Sequence, residues 1–386
     1  MHMSCFHGVT ASVFLSSLFF CGCSSNKTEA PTDTFDRSAL LSSLSDQVVL
    51  PTLTAFEATV PMLESTIEDY CASLESVDES SELALARQAW KNSMNAWQRA
   101  EVMNVGPGRS TSKGLRDDIY SWNITSPCSV DQATLAHSQS EITVDTQLPN
   151  RRGMDALEYL LFTESTAHSC ESSQSAPQGW DALSESAIKQ ARCGYAQALS
   201  GDLALRIETL LSAWTEDDGF IQELQTLSVK EAVDEMAVGL TYLEQIKEFK
   251  IEQPIGITEN PCFETSGIGS ICPQELESPF AKVSMANISA NLNGFIDFFT
   301  GNNGIGFDDM LVELGSPEVS DSILQDANAA LSIAQNFNEP FYTLLNSDKD
   351  TLLELHTEIQ SLNTTLKSQF LSVTGINLPD LLSDND

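Results

Sequence analysis

Apolar side chains recur every three or four residues along most of this chain, the spacing that gathers them on one face of an α-helix. Between Phe35 and Ser76 the stripe is Leu40, Leu44, Val48, Leu53, Phe56, Val60, Leu63 and Ile67, and Pro51 and Pro61 predict a kink or a division within it. Glu82 to Met103 carries Ala86, Trp90, Met94 and Trp97 on one stripe, and Gly106-Pro107-Gly108 ends it. A shorter helix is predicted from Ser112 to Trp122, then an irregular region around Pro127 and Cys128, then a helix from Arg151 to Phe162. Long helices follow at Trp180 to Trp214 and Val229 to Lys250, the second with Ala232, Met236, Leu240, Leu243 and Ile246 inward. After a Gly- and Pro-rich loop from Gln253 to Pro279, helices resume at Phe280 to Thr300, Ser316 to Asn336 and Lys349 to Thr374. No segment alternates with the period of a strand. The pattern predicts an all-α protein of extended, packed helices.

Composition narrows the partners. The 386 residues include 41% hydrophobic and 8% aromatic side chains, enough for a large core, and length alone favours two domains. A net charge of −36 argues against nucleic acid and against docking on anionic lipid through a basic patch. Cations are the natural small partners of such a field, although an acidic surface also serves solubility.

The N-terminus reads as an export signal. Val9 to Phe20 is apolar but too short to span a bilayer, and it leads into Cys21-Gly22-Cys23 and the polar stretch SSNKTEAPTDT. A small residue before a cysteine, then a Ser/Thr-rich tether, resembles a bacterial lipoprotein cleavage site, with Cys23 lipidated. The alternative is conventional secretion with cleavage nearby. Residues 1–22 are then the signal and 23–34 the tether, and Ser24 points to the outer membrane, facing the periplasm. Six further cysteines, Cys71, Cys128, Cys170, Cys193, Cys262 and Cys272, are an even number in an exported chain and predict disulfides. Fifteen connectivities are open to six thiols. Sequence proximity favours Cys262–Cys272 and Cys170–Cys193, leaving Cys71–Cys128.

The candidate chemistry centres on NRRGMDALEYLLF, Asn150 to Phe162. Asp155 and Glu158 lie one turn apart on the same helix face, beside the apolar stripe of Met154, Leu157 and Leu161, and are placed to converge on one cation. A solvated acidic face is the plainer explanation of any such pair. Glu101, four residues after Trp97, is directed inward and needs a partner if buried. Arg116, Arg151 or Arg152 would make an ion pair with it, or it would join Asp155 and Glu158 in an acidic metal pocket. Gly106 and Pro107 serve a turn. Trp122 reads as core. Gly153 allows close approach at the start of its helix. His137, His168 and His356 have no zinc-enzyme spacing, and there is no nucleophile elbow, P-loop or dinucleotide fingerprint.

The stretch from Gly153 to Phe162 resembles the signature of the imelysin family, bacterial envelope proteins with the motif glycine, any residue, histidine, any two residues, glutamate. Gly153 and Glu158 match, and Asp155 stands where the histidine is expected. VVLPTLTAF, AWKNSMNAWQRAEVMNVGP and ANISANLNGFIDFFTGNNGIGFDDML resemble the family in the same order. The resemblance implies two related four-helix bundles, here residues 35–178 and 179–386, with a site near their interface. It further implies non-enzymatic binding of iron or another ligand in iron uptake, with handover to a membrane transport partner. Asp155, Glu158 and Glu101 would then hold a hard cation such as Fe³⁺ through oxygens. The alternatives are the zinc metallopeptidase activity for which the family was named, and a protein- or glycan-binding scaffold with a degenerate site. Zinc chemistry is the weaker expectation, because Asp155 replaces a neutral imidazole and no third ligand is apparent.

Overall fold

A computed structural model of the protein describes residues 33–109, 114–337 and 339–378. The predicted signal, its cleavage site and Cys23 lie outside the described residues. Among those described, no residue is in a strand and no helix is long and apolar enough to cross a membrane. The all-α expectation holds.

The first apolar stripe is divided where its prolines predicted. Pro51 sits in the first turn of Leu50–Glu57 and Pro61 in the first turn of Val60–Ala72. A proline lacks the N–H that a first turn leaves unpaired, so Pro61 starts its helix at no cost in hydrogen bonding, whereas Leu50–Glu57, with Pro51, continues directly from a π-helical stretch, Leu44–Val49. Pro127 starts its helix as Pro61 does. The region expected to be irregular is the helix Pro127–Ser138, its N-terminus capped by the Ser126 hydroxyl, which accepts from Ser129 N. Short helices at Phe220–Thr226, Phe307–Glu313 and Phe341–Ser347 also had no clear sequence signal. Conversely, the run expected from Val229 to Lys250 is α-helical to Ala237, then passes through a 3₁₀ turn, Val238–Thr241, an α-helical turn, Tyr242–Gln245, and a π-helical stretch, Ile246–Glu252.

Helix Glu79–Glu101 is the axis of the assembly. It packs against Val60–Ala72, Gly153–Phe162 and Ser284–Thr300, so both halves of the chain share its faces. Trp90 is fully buried there and donates its indole N–H to Met154 O, while Trp97 meets the ring of Phe56 at 5.2 Å. Ser284–Thr300 packs in turn on Pro317–Asn336, and that helix on Lys349–Thr365. Among the described residues the main core runs from Phe35 to Ile376, with a small separate cluster of Leu135, Trp180 and Ile188.

The disulfides correct two of the three expected pairings. Cys262–Cys272 forms as expected, but Cys71 joins Cys193 and Cys128 joins Cys170. Proximity in sequence misled because helix packing decides which thiols meet. Val60–Ala72 lies against Glu185–Thr215, which brings the Cα atoms of Cys71 and Cys193 to 5.5 Å across 122 residues of chain.

Candidate functional site, an acidic and aromatic cavity

The helix Gly153–Phe162 starts under a tight backbone crossing. Gly153 has φ of +73°, and a Cβ there would lie 2.5 Å from the carbonyl oxygen of Ile119. Only glycine tolerates both constraints. The crossing brings Ser121 N to within 2.8 Å of Asp155 Oδ2, in the first helical turn, where a carboxylate also meets the positive end of the helix dipole. One turn on, Glu158 Oε1 accepts from Phe280 N at 2.9 Å and Ala281 N at 2.8 Å. The two acids therefore fasten the segments around residues 121 and 280 to this helix. They are not a solvated face: Asp155 is 8% exposed and Glu158 2%.

Burial sets their acidity. It pushes the Asp155 carboxyl well above its usual range, and the neighbouring Glu158 charge adds to the effect, against the Ser121 amide. Burial likewise pushes Glu158 up to about 7, although the amides of Ala281 and Phe280 favour its ionised form. Both acids line a cavity of about 330 Å³, with walls including Trp122, Tyr159, Leu276 and Phe280. The Tyr159 and Phe280 rings meet edge to face at 5.2 Å, and Tyr159 is anchored by its hydroxyl, which donates to Asp131. Glu275 also lines the cavity. Trp122, expected in the core, packs against it but is only partly buried and forms cavity wall.

Glu101 does turn inward, and the ion-pair alternative describes it. Its Oε1 lies 2.5 Å from Arg116 Nη2, and its Oε2 is 3.2 Å from the ammonium of Lys250. Lys250, almost completely buried, also lies 2.9 Å from Glu277 Oε1 and donates to Gln98 Oε1 and Asn291 Oδ1 at 2.7 and 2.8 Å. Tyr120 donates to the same Glu277 oxygen at 2.6 Å. Burial alone would raise the Glu101 carboxyl, but the Lys250 and Arg116 charges outweigh it and hold the carboxyl below its usual range. Arg152, another of the three suggested partners, pairs with Asp202 at 2.6 Å.

These commitments correct the three-carboxylate metal pocket expected of Asp155, Glu158 and Glu101. Among the described residues, no group of three or more His, Cys, Asp or Glu is arranged to hold a metal ion. Glu101 is bound to two cations, and Asp155 and Glu158 each commit an oxygen to backbone amides. That donor set fits neither a zinc centre, which takes three or four protein ligands, nor a six-oxygen shell. His356 hydrogen-bonds Glu252 at 2.6 Å, and neither it, His137 nor His168 lines the cavity. Gly106 serves its turn with φ of +51°, its α-carbon closed against the Phe220 ring, beside buried Pro107.

Sequence reasoning missed Lys250, Tyr120 and Glu277. Lys250 was within reach, since it follows Ile246 by one helical turn on an inward stripe. Glu277 lies outside any helix, where periodicity carries no signal.

Comparison with known proteins agrees with this fold. The iron-regulated protein A of Synechococcus elongatus is 25% identical over 335 residues, 84% of this chain and 83% of that protein. An imelysin-like protein from Psychrobacter arcticum superposes with a TM-score of 0.67 at 17% identity, covering 89% of this chain and 98% of that one. A Parabacteroides distasonis protein described as an iron-regulated protein A precursor gives 0.68 at 15% identity, covering 90% and 97%. The imelysin family model matches residues 49–369, and the chain belongs to that family.

Proposed function

We propose that this protein is a non-enzymatic binding protein of the cell envelope that acts in iron handling, and that the cavity beside Asp155 and Glu158 is its ligand site. The observation that carries the reading is that both buried motif acids line one cavity of about 330 Å³, within the size range of small-ligand pockets. Carboxylates at the base of an apolar cavity favour a cation, and the chain's net charge of −36 draws cations towards it. The link to iron is supported by the iron-regulated protein A of Synechococcus elongatus. Iron would be cargo here, handed on to a membrane partner, and the lipid anchor at Cys23 would keep the protein at the outer membrane. The peptidase alternative has less support, because a catalytic zinc needs three protein ligands and a bound water.

Isothermal titration with ferric citrate and with Zn²⁺, beside the double variant Asp155→Asn, Glu158→Gln, tests the reading. One-site binding of ferric citrate that is lost in the variant, with no comparable Zn²⁺ site, is the expected result. Weak multi-site binding unchanged by the substitutions would assign the cation signal to the acidic surface and overturn it.

A further inference from the structure

The cavity repeats, with other residues, the surroundings that hold Lys250. That buried ammonium lies between two carboxylates, Glu101 at 3.2 Å and Glu277 at 2.9 Å. It also sits over two aromatic rings, 5.8 Å from the centroid of Trp122 and 5.6 Å from that of Tyr242. The cavity has carboxylates too, the buried Asp155 and Glu158 with Glu275 also in its lining, and the aromatic side chains Trp122, Tyr159 and Phe280. Trp122 belongs to both sets. The protein thus already stabilises one ammonium with the kinds of groups that the cavity presents.

A second observation points to a ligand. Asp155 is more than nine-tenths buried and lines the cavity, yet only its Oδ2 accepts a hydrogen bond, from Ser121 N, and Oδ1 has no donor among the described residues. Oδ1 is not among the fully buried unpartnered atoms and belongs to a residue that lines the cavity, where a donor on a ligand can reach it.

We propose that the cavity takes the primary ammonium group of an organic amine. The ammonium would donate to Asp155 Oδ1 and pair with Glu158, and the alkyl chain would lie against Trp122, Leu276 and Phe280. This rests on reading the cavity as the ligand site and names a different class of cation for it. An ammonium needs about three acceptors and gains from aromatic faces, whereas a hard metal ion needs about six oxygens and gains nothing from apolar walls. Among the described residues no three of His, Cys, Asp or Glu are arranged to hold a metal ion, but the aromatic walls are present.

The test is calorimetric titration of the protein with hexylammonium chloride and, separately, with 1-hexanol, its neutral counterpart. One-site binding of hexylammonium at least tenfold tighter than hexanol is expected. Asp155→Asn should remove that preference, and Trp122→Leu should weaken the amine several-fold. Equal affinity of amine and alcohol in the unsubstituted protein overturns the proposal, whether or not the variants fold. One-site binding of ferric citrate or Zn²⁺ that Asp155→Asn abolishes, with no one-site binding of hexylammonium, would overturn the amine class and leave the cavity reading standing. No one-site binding of amine or metal would overturn both.

Discussion

The ammonium of Lys250 lies 3.2 Å from Glu101 Oε2, joining the axial helix Glu79–Glu101 to a segment 149 residues further along the chain. The pair is inside the protein, with less than 2% of either side chain accessible, so its partners cannot fall back on water. Removing one member of such a set costs far more than removing all of it. Lys250→Met should destabilise the fold by about 3–5 kcal/mol in urea titration. Adding Glu277→Gln to it, with Glu101 kept as the partner of Arg116, should recover much of that loss. A double variant no more stable than the single one would show that packing, not charge, is what Lys250 supplies.

Glu158 makes stability depend on pH with a defined sign. Its carboxyl is raised in the folded state from 4.5 to about 7, so between those values the folded protein holds a proton that the unfolded chain releases. Its contribution is therefore fully present below pH 4.5 and is lost as pH rises to about 7. The size is on the order of 3 kcal/mol, since each tenfold change in proton affinity is worth about 1.4 kcal/mol. Glu158→Gln should flatten the decline in unfolding free energy across that window. An unchanged slope in the variant would locate the titration elsewhere.

Gly153→Ala places a Cβ 2.5 Å from Ile119 O at a residue with φ of +73°. The crossing must open, taking Ser121 N away from Asp155. Roughly 2–4 kcal/mol of destabilisation is expected in thermal or urea unfolding. An alanine variant within about 0.5 kcal/mol of the parent would mean that the backbone relaxes there at little cost.

The disulfides should differ in worth. Cys71–Cys193 spans 122 residues and Cys262–Cys272 only 10, so their removal should cost about 5 and about 3 kcal/mol on a chain-entropy account. Peptide mapping without reductant should recover Cys71 with Cys193 and Cys128 with Cys170. Recovery of Cys170 with Cys193 instead would contradict the packing of Val60–Ala72 on Glu185–Thr215.

What the sequence disclosed follows from where periodicity speaks. Glu101 could be placed inward because Trp90 and Trp97 define its stripe, and the prolines at 51 and 61 could be read as a kink or division of the first stripe. The acids of the motif helix could be put on one face, but nothing in their spacing revealed the amides of Phe280 and Ala281, which come from 122 and 123 residues away. Long-range partners of this kind depend on tertiary contact. The same holds for Cys71 and Cys193. Asp155 was legible as a departure from the family pattern. Its bond to Ser121 depends on the crossing that Gly153 permits.

Glu158 has a structural post that does not depend on any ligand: it closes the hydrogen bonds of two buried or half-buried backbone amides. A descendant of this protein that abandoned its ligand would still be under pressure to keep an acceptor there, since losing it would strand both N–H groups. A relative that keeps the glutamate would therefore record inheritance of the fold. Inheritance of the task is better followed through Trp122 and Asp155, whose free ring surface and unclaimed oxygen have less to do once the cavity falls silent.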